Sequence, residues 1–175
     1  RFKCDWSSDV CSSDLEAALR TGTLHPQAET VAIAALVGAR TPEAQRAVGS
    51  LVKDPQLNEP LRVRVLQSAA LMTQPTTEFV TTLSSLVVLT DDAAYRSAVA
   101  TTLGAAIGYL KETQPTEAAT AMERYLIDAA QVLTPTATPG HPAVQAGVSI
   151  QMAWLAGLGN TGDAKALPLI LNATE

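Results

Sequence analysis

The amino-acid sequence predicts an all-α fold built of about four stacked antiparallel helix pairs. Of its 175 residues, 47% are hydrophobic but only 4% are aromatic, so the apolar content is mainly alanine, leucine and valine. Alanine favours helices over strands. Apolar residues recur at steps of three and four, and no segment alternates apolar and polar residues strictly enough to predict a strand.

The first fifteen residues differ from the rest. Cys4–Leu15 reads CDWSSDVCSSDL and contains both cysteines and one of the two tryptophans. This string resembles one reading frame of a short-read sequencing adapter. We therefore interpret residues 1–15 as a non-native, adapter-derived segment and expect them to contribute nothing to the fold. Removing them takes Lys+Arg from 12 to 10 and Asp+Glu from 17 to 14, a net charge of −4, and leaves no cysteine for a disulfide or a thiolate metal site.

Breakers and caps bound the first five predicted helices. Pro26 and Pro42 stand at first helical positions, where the missing N–H costs nothing. Thr21-Gly22 ends a short stub, and the turn at 54–58 separates the third helix from the fourth. These helices cover 16–20, 26–38, 42–53, 59–72 and 75–89.

Four further helices are predicted over 91–110, 115–133, 142–158 and 164–171. Asp91-Asp92 begins the first of them, since acidic side chains suit the positive end of a helix. The low-complexity segment Thr134–Pro142 predicts an exposed loop. Pro168 predicts a kink in the last helix. The helix over 142–158 is apolar nearly all round, so we expect neighbours to cover more than one of its faces.

The predicted helix pairs recur along the chain. Their first helices begin near residues 25, 58, 91 and 141, and the segment 35–42 echoes 156–163, with a small apolar helix end, a glycine and a capping residue. Helical pairs with periods of 20–50 residues are typical of α-solenoids, in which each pair contacts chiefly its neighbours. We expect the first helices to form one layer and the second helices the other.

One segment adds a family resemblance. Trp154–Ile170, WLAGLGNTGDAKALPLI, resembles a HEAT-type repeat, with a first helix ending in leucine and glycine and an aspartate that caps the second. Leu158–Gly162 further resembles a motif in the helical domain of vitellogenin-like large lipid transfer proteins, and segments 75–80 and 95–104 are similar to other parts of that domain. The resemblance implies a HEAT-like repeat domain over 16–175, which we expect to be an internal fragment.

Several short patterns imitate functional sites. Gly157-x-Gly159-x-x-Gly162 matches a dinucleotide fingerprint, but that motif needs a preceding strand, and here a helix precedes it. We interpret these glycines as the junction between two helices. His25 and His141 each precede a helix-starting proline, without further ligands at metal-binding spacings. Asp91-Asp92 are adjacent on a helix and do not face each other.

Other polar residues also have structural interpretations. No His/Asp constellation is available to activate Ser84-Ser85 or the threonine pairs at 76–77, 81–82 and 101–102. Arg62 and Arg64 are too few to form a phosphate-binding surface, and the acidic balance disfavours nucleic acid.

Trp154 is predicted to anchor the core. Asn172-Ala173-Thr174 matches a glycosylation sequon, a short and frequent pattern. No run of 18 apolar residues predicts a transmembrane segment.

These observations favour a non-enzymatic helical-repeat scaffold that binds a protein partner. The alternative is the helical arm of a vitellogenin-like lipid-binding or lipid-transport protein, for which lipid is a possible ligand. A third hypothesis is an enzyme subunit whose active site lies outside this sequence. We assign no catalytic, cofactor-binding or metal-binding residue.

Overall fold

The computed structural model describes residues 9–87, 92–133 and 148–173. All regular structure in these residues is helical, with no strand, so the all-α prediction is confirmed. Nine α-helices are present there: α1 (Asp9–Thr21), α2 (Pro26–Ala39), α3 (Pro42–Lys53), α4 (Glu59–Ala69), α5 (Thr77–Leu86), α6 (Ala93–Thr113), α7 (Pro115–Leu133), α8 (Val148–Asn160) and α9 (Leu167–Asn172). A 3-10 helix, Ala164–Ala166, precedes α9.

Polar caps set the starts of four helices. Thr41, Asn58, Thr76 and Asp92 each accept a hydrogen bond from the backbone N–H three residues later, at 2.7–3.2 Å. The predicted starts of α3 and α4 are confirmed. The next two helices begin two residues later than predicted, at Thr77 and Ala93, because Thr76 and Asp92 act as the caps.

Helix α1 crosses the predicted boundary between residues 15 and 16. It begins at Asp9 and continues to Thr21, whereas the sequence predicted only a stub over 16–20. Ser12 is buried and Leu15 packs half-buried against the core. These contacts do not match the expectation that residues 1–15 contribute nothing to the fold. The adapter resemblance concerns the origin of the segment, and it stays a prediction.

Extensive helix contacts follow two series through the described part of the chain. One series runs α2–α4–α6–α8 and the other α1–α3–α5–α7–α9, with each helix packed on the next in its series. Further contacts join helices of the two series, among them α2–α3, α3–α4, α5–α6 and α6–α7. Every extensive contact between the described helices therefore joins two helices that are consecutive in the chain or that have one helix between them.

Two predicted pairings differ from the observed packing. Among the extensive contacts, α4 packs on α2, α3 and α6 rather than on α5, and α9 packs on α7 rather than on α8. A buried side chain explains the position of α5. Gln45 of α3 donates to the carbonyl of Gln74 at 2.8 Å and accepts from the N–H of Thr76 at 2.7 Å. These two bonds hold the start of α5 against α3.

Helix α6 forms the centre of the core. It packs on α4, α5, α7 and α8, and 11 of its 21 residues are buried. Side-chain hydroxyls tie it to two other helices: Tyr95 donates to the carbonyl of Val52 in α3 at 2.7 Å, and Thr102 donates to that of Leu66 in α4 at 2.9 Å. Both bonds satisfy polar groups that burial would otherwise leave unpaired.

The contact between α6 and α8 is close enough to require glycine. A Cβ atom built on Gly104 would overlap the backbone of Gly157, and one built on Gly108 would lie 2.5 Å from the carbonyl oxygen of Asn160. Trp154, on the same face of α8, is buried and stacks on Tyr125 with ring centroids 4.8 Å apart. Its predicted place in the core is confirmed.

The opposite face of α8 is exposed. Met152 is 60% exposed, so neighbours leave this face uncovered, whereas α6 and α7 both pack on other parts of the helix. The predicted loop Thr134–Pro142, His141 and the first residues of the predicted helix over 142–158 lie outside the described residues. None of the described helices is long and apolar enough to cross a membrane.

Candidate binding groove

The glycine motif forms a helix end. Gly157 and Gly159 lie in α8, and Gly162 follows in a turn with a φ of +57°, a left-handed conformation that favours glycine. Asp163 then caps the 3-10 helix by accepting a hydrogen bond from the N–H of Lys165 at 3.0 Å. A helix, and not a strand, precedes the motif, so its place in the fold is that of a helix junction.

The predicted helix-start residues are caps where the structure describes them. His25 is the exposed N-cap residue of α2, and its side chain makes no capping hydrogen bond. Asp92 accepts from the N–H of Tyr95 at 2.7 Å. His141 and Asp91 lie outside the described residues. In the described ranges, no group of three His, Cys, Asp or Glu residues could hold a metal ion.

Several hydroxyls of the serine and threonine pairs bind carbonyls of their own helices, while Thr77 donates to Gln114 and Thr102 also donates to Leu66. Ser84 donates to the carbonyl of Val80 at 3.0 Å, Ser85 to that of Thr82 at 2.6 Å, and Thr81 to that of Thr77 at 2.9 Å. A hydroxyl engaged in this way is satisfied locally by the backbone. These bonds support the structural interpretation of the pairs.

The remaining sequence candidates also contact protein groups. The guanidinium of Arg62 lies over the ring of Tyr95, 4.6 Å from its centroid, and Arg64 forms an ion pair with Glu29. Asn172 is exposed at the end of α9, while Thr174, the third residue of the sequon, lies outside the described residues.

A carboxyl pair joins the N-terminal ends of α4 and α6. Burial and a hydrogen bond with Asp92 both raise the pKa of Glu59, and the positive charge of Arg62 acts in the opposite direction. The two carboxyl groups therefore lie together at two neighbouring helix starts.

A groove opens near the other ends of the same series of helices. It has a volume of about 690 Å³, within the range typical of ligand-binding clefts. Its lining comes from the turn after α4, the C-terminal half of α6 and the end of α8: Ala70, Leu71, Ala105, Gly108, Tyr109, Lys111, Glu112, Asn160, Thr161 and Gly162. We call this opening the α4–α6–α8 groove.

Apolar and charged groups share the groove. Leu71 is 76% exposed, the highest value among the large hydrophobic residues that the structure describes. Tyr109, which also lines the groove, is half-buried. Lys111 is paired: its Nζ atom lies 3.4 Å from Oδ2 of Asp163 and 3.5 Å from the carbonyl oxygen of Gly162. Glu112 makes no ion pair with any residue that the structure describes.

The electrostatics at the end of α8 follow from this pairing. The N–H of Lys165 holds the pKa of Asp163 below its usual value, and the ammonium of Lys111 lowers it further. Asp163 is therefore ionised at neutral pH. Asp163 interacts with Lys165 as well as with Lys111, and among the charged side chains that line the groove Glu112 is the one without an ion pair to a described residue.

Two further openings lie along the other helix series. One, of about 280 Å³, is a surface opening between α3 and α5, and the other, of about 560 Å³, is a surface opening between α5 and α7. Threonine and serine side chains contribute to both, and their hydroxyls include those that bind helix carbonyls. The α4–α6–α8 groove is the largest of these three openings, and its Leu71 is more exposed, at 76%, than Ile127 of the α5–α7 opening, at 58%.

Searches against protein-family models, curated proteins and solved structures each found no match to this chain.

Sequence reasoning missed this groove. Its lining residues come from three segments that are each about 35 to 50 positions apart, and no single segment carries a motif. One signal was available: Leu71 lies near the end of the predicted helix over 59–72, two residues before Thr73-Gln74.

Proposed function

We propose that residues 16–175 form a HEAT-like α-solenoid and act as a non-enzymatic scaffold that binds a protein partner. In this proposal the helices stack in chain order, with α2, α4, α6 and α8 in one layer and α3, α5, α7 and α9 in the other, while α4 and α9 pack on helices other than their predicted partners. The division of helix contacts into two series supports this arrangement. Contacts limited to neighbours are the packing pattern of solenoids.

One observation carries the binding function. The α4–α6–α8 groove crosses three successive helices of one series and presents Leu71, which is 76% exposed, beside Tyr109. Stacked repeats build binding surfaces in this way, with each repeat adding part of a shared face. Exposed leucine and tyrosine side chains offer apolar area that a partner can remove from water.

A peptide-display selection tests the proposal. The full chain is immobilised and exposed to a library of random 12-residue peptides, and selected peptides are measured against Leu71→Gln and the matched control Val31→Gln. Val31 is 66% exposed on α2 and lies outside the groove, so both changes replace an exposed apolar side chain. Loss of a buried leucine contact should weaken binding about tenfold or more in Leu71→Gln only.

Two outcomes would contradict the proposal. The first is a selection that yields no specific peptide, and the second is peptides whose affinity is the same for both variants. Sedimentation of the chain with phosphatidylcholine vesicles examines the alternative function. Vesicle binding that Leu71→Gln weakens would favour the lipid-binding arm over the protein scaffold.

A further inference from the structure

We propose that the occupant of the α4–α6–α8 groove is a peptide segment that places a lysine or arginine beside a large apolar side chain. This inference rests on the binding function proposed above and specifies the chemistry of the partner. It follows from the combination of one apolar wall, one uncompensated carboxylate and two helix C-terminal ends in the same groove.

The apolar wall fixes one half of the partner. Leu71 stands almost free of the protein, and Ala70 and Ala105 line the groove with it. The side chain of an incoming leucine, isoleucine or phenylalanine would cover this wall and remove apolar area from water on both sides. A wholly polar segment would leave Leu71 exposed to solvent or cover it with groups that need hydrogen bonds.

Charge fixes the other half. Lys111 is paired with Asp163, which Lys165 also attracts, whereas Glu112 has no ion pair among the described residues. The ends of α4 and α8 add partial negative charge through the helix dipole, although N–H groups of the following turns already bond several of their last carbonyls. The chain as a whole has a net charge of −5, which adds a longer-range attraction for cations.

Lys111 itself shows that a cation fits here. Its ammonium lies 3.5 Å from the carbonyl oxygen of Gly162, just after α8, and 3.4 Å from the carboxylate of Asp163. A partner cation near Glu112 would meet a carboxylate acceptor in the same groove. The ring of Tyr109 in the same lining provides an aromatic face, to which a guanidinium or an ammonium is also attracted.

Three fluorescein-labelled ten-residue peptides test this inference on the full chain. The first alternates leucine with lysine, the second leucine with glutamate, and the third serine with lysine. Fluorescence anisotropy at low ionic strength should show the tightest binding for the leucine–lysine peptide. Its affinity should fall when Leu71 is replaced by glutamine, which places the peptide in the groove.

Glu112→Gln gives the decisive comparison. Removal of an exposed ionic contact should weaken the leucine–lysine peptide about two- to fivefold, and added salt should abolish the difference between variant and parent. Glu117→Gln is the matched control, because Glu117 is an exposed glutamate of α7 outside this groove and its loss changes the net charge equally. Tyr109→Leu should also reduce the preference for lysine, while Tyr109→Phe should keep it.

The outcomes separate this inference from the scaffold proposal. If the leucine–glutamate peptide binds as tightly as the leucine–lysine peptide, with both affinities dependent on Leu71, the charge preference is refuted and the binding function stands. Equal weakening by Glu112→Gln and Glu117→Gln would also refute it, since net charge would explain the effect. If none of the peptides binds in a Leu71-dependent way and the display selection also fails, the binding function itself is refuted.

Discussion

Gly157→Ala should destabilise the protein strongly, although alanine normally favours a helix over glycine. The glycine lies in the middle of the contact between α8 and its neighbours, where an added Cβ atom would overlap Oη of Tyr125 and lie 2.7 Å from the carbonyl oxygen of Ala100. Those two atoms are also hydrogen-bonded to each other at 2.8 Å. The added methyl group therefore displaces both partners of a buried bond.

The size of the effect follows from three contributions. Overpacking of a rigid core costs about 1–3 kcal/mol. Leaving the buried hydroxyl of Tyr125, or the carbonyl of Ala100, without a partner costs about 1–3 kcal/mol more. The higher helix propensity of alanine offsets about 1 kcal/mol of this. Tyr125 is only 1% exposed and Trp154 stacks on its ring, so the phenol has little room to move away. We expect a net loss of roughly 3 kcal/mol.

Gly159→Ala provides the matched control, two residues away in the same helix. A Cβ atom built there meets nothing within 4 Å, so the change should leave stability unchanged or raise it by up to about 1 kcal/mol. Urea unfolding followed by far-ultraviolet circular dichroism measures both variants against the parent chain. The argument is refuted if Gly157→Ala proves as stable as Gly159→Ala.

Three further predictions follow from burial. Trp154→Ala should lower the free energy of unfolding by roughly 3–5 kcal/mol, because Trp154 is 2% exposed; a loss below 1 kcal/mol in urea titrations would contradict its role in the core. Leu15→Ala should cost about 1 kcal/mol, since Leu15 packs half-buried on the core; an unchanged melting temperature would instead support the expectation that residues 1–15 contribute nothing. Burial raises the pKa of the Tyr125 hydroxyl above its ordinary value of 10.0. The stability that the neutral phenol provides is therefore complete below pH 10 and is lost as the pH rises beyond 10. Urea midpoints from pH 8 to 12 should fall more steeply for the parent chain than for Tyr125→Phe.

Local chemistry made much of the fold predictable. The bounds of α3 and α7 match their predicted ranges, and α2 differs by one residue at its end. Pro26, Pro42 and Pro115 each begin a helix, as expected for a residue that lacks an N–H and has a fixed φ. Each signal acts within one turn of the helix that it bounds, so a single sequence contains all the information that is needed.

Packing between helices was less predictable, because it depends on pairs of residues distant in the chain. The sequence predicted α4 to pair with α5, but Gln45 holds the start of α5 against α3 through two backbone hydrogen bonds. A glutamine in an amphipathic helix gives no sign that its amide will be buried. The close approach of Gly104 to Gly157 is likewise invisible until both helices are in place.

The same close approach connects the core to the proposed binding surface. Gly104 and Gly157 allow α6 and α8 to touch, and one turn further along Gly108 meets the backbone of Asn160, where both residues line the α4–α6–α8 groove. The spacing of the two helix ends is therefore set by buried glycines and not by the exposed residues that would contact a partner. A substitution at Gly104 should thus change the groove as well as the stability, whereas Leu71→Gln should change binding alone. This division explains why the groove's shape and its chemistry are encoded at separate positions.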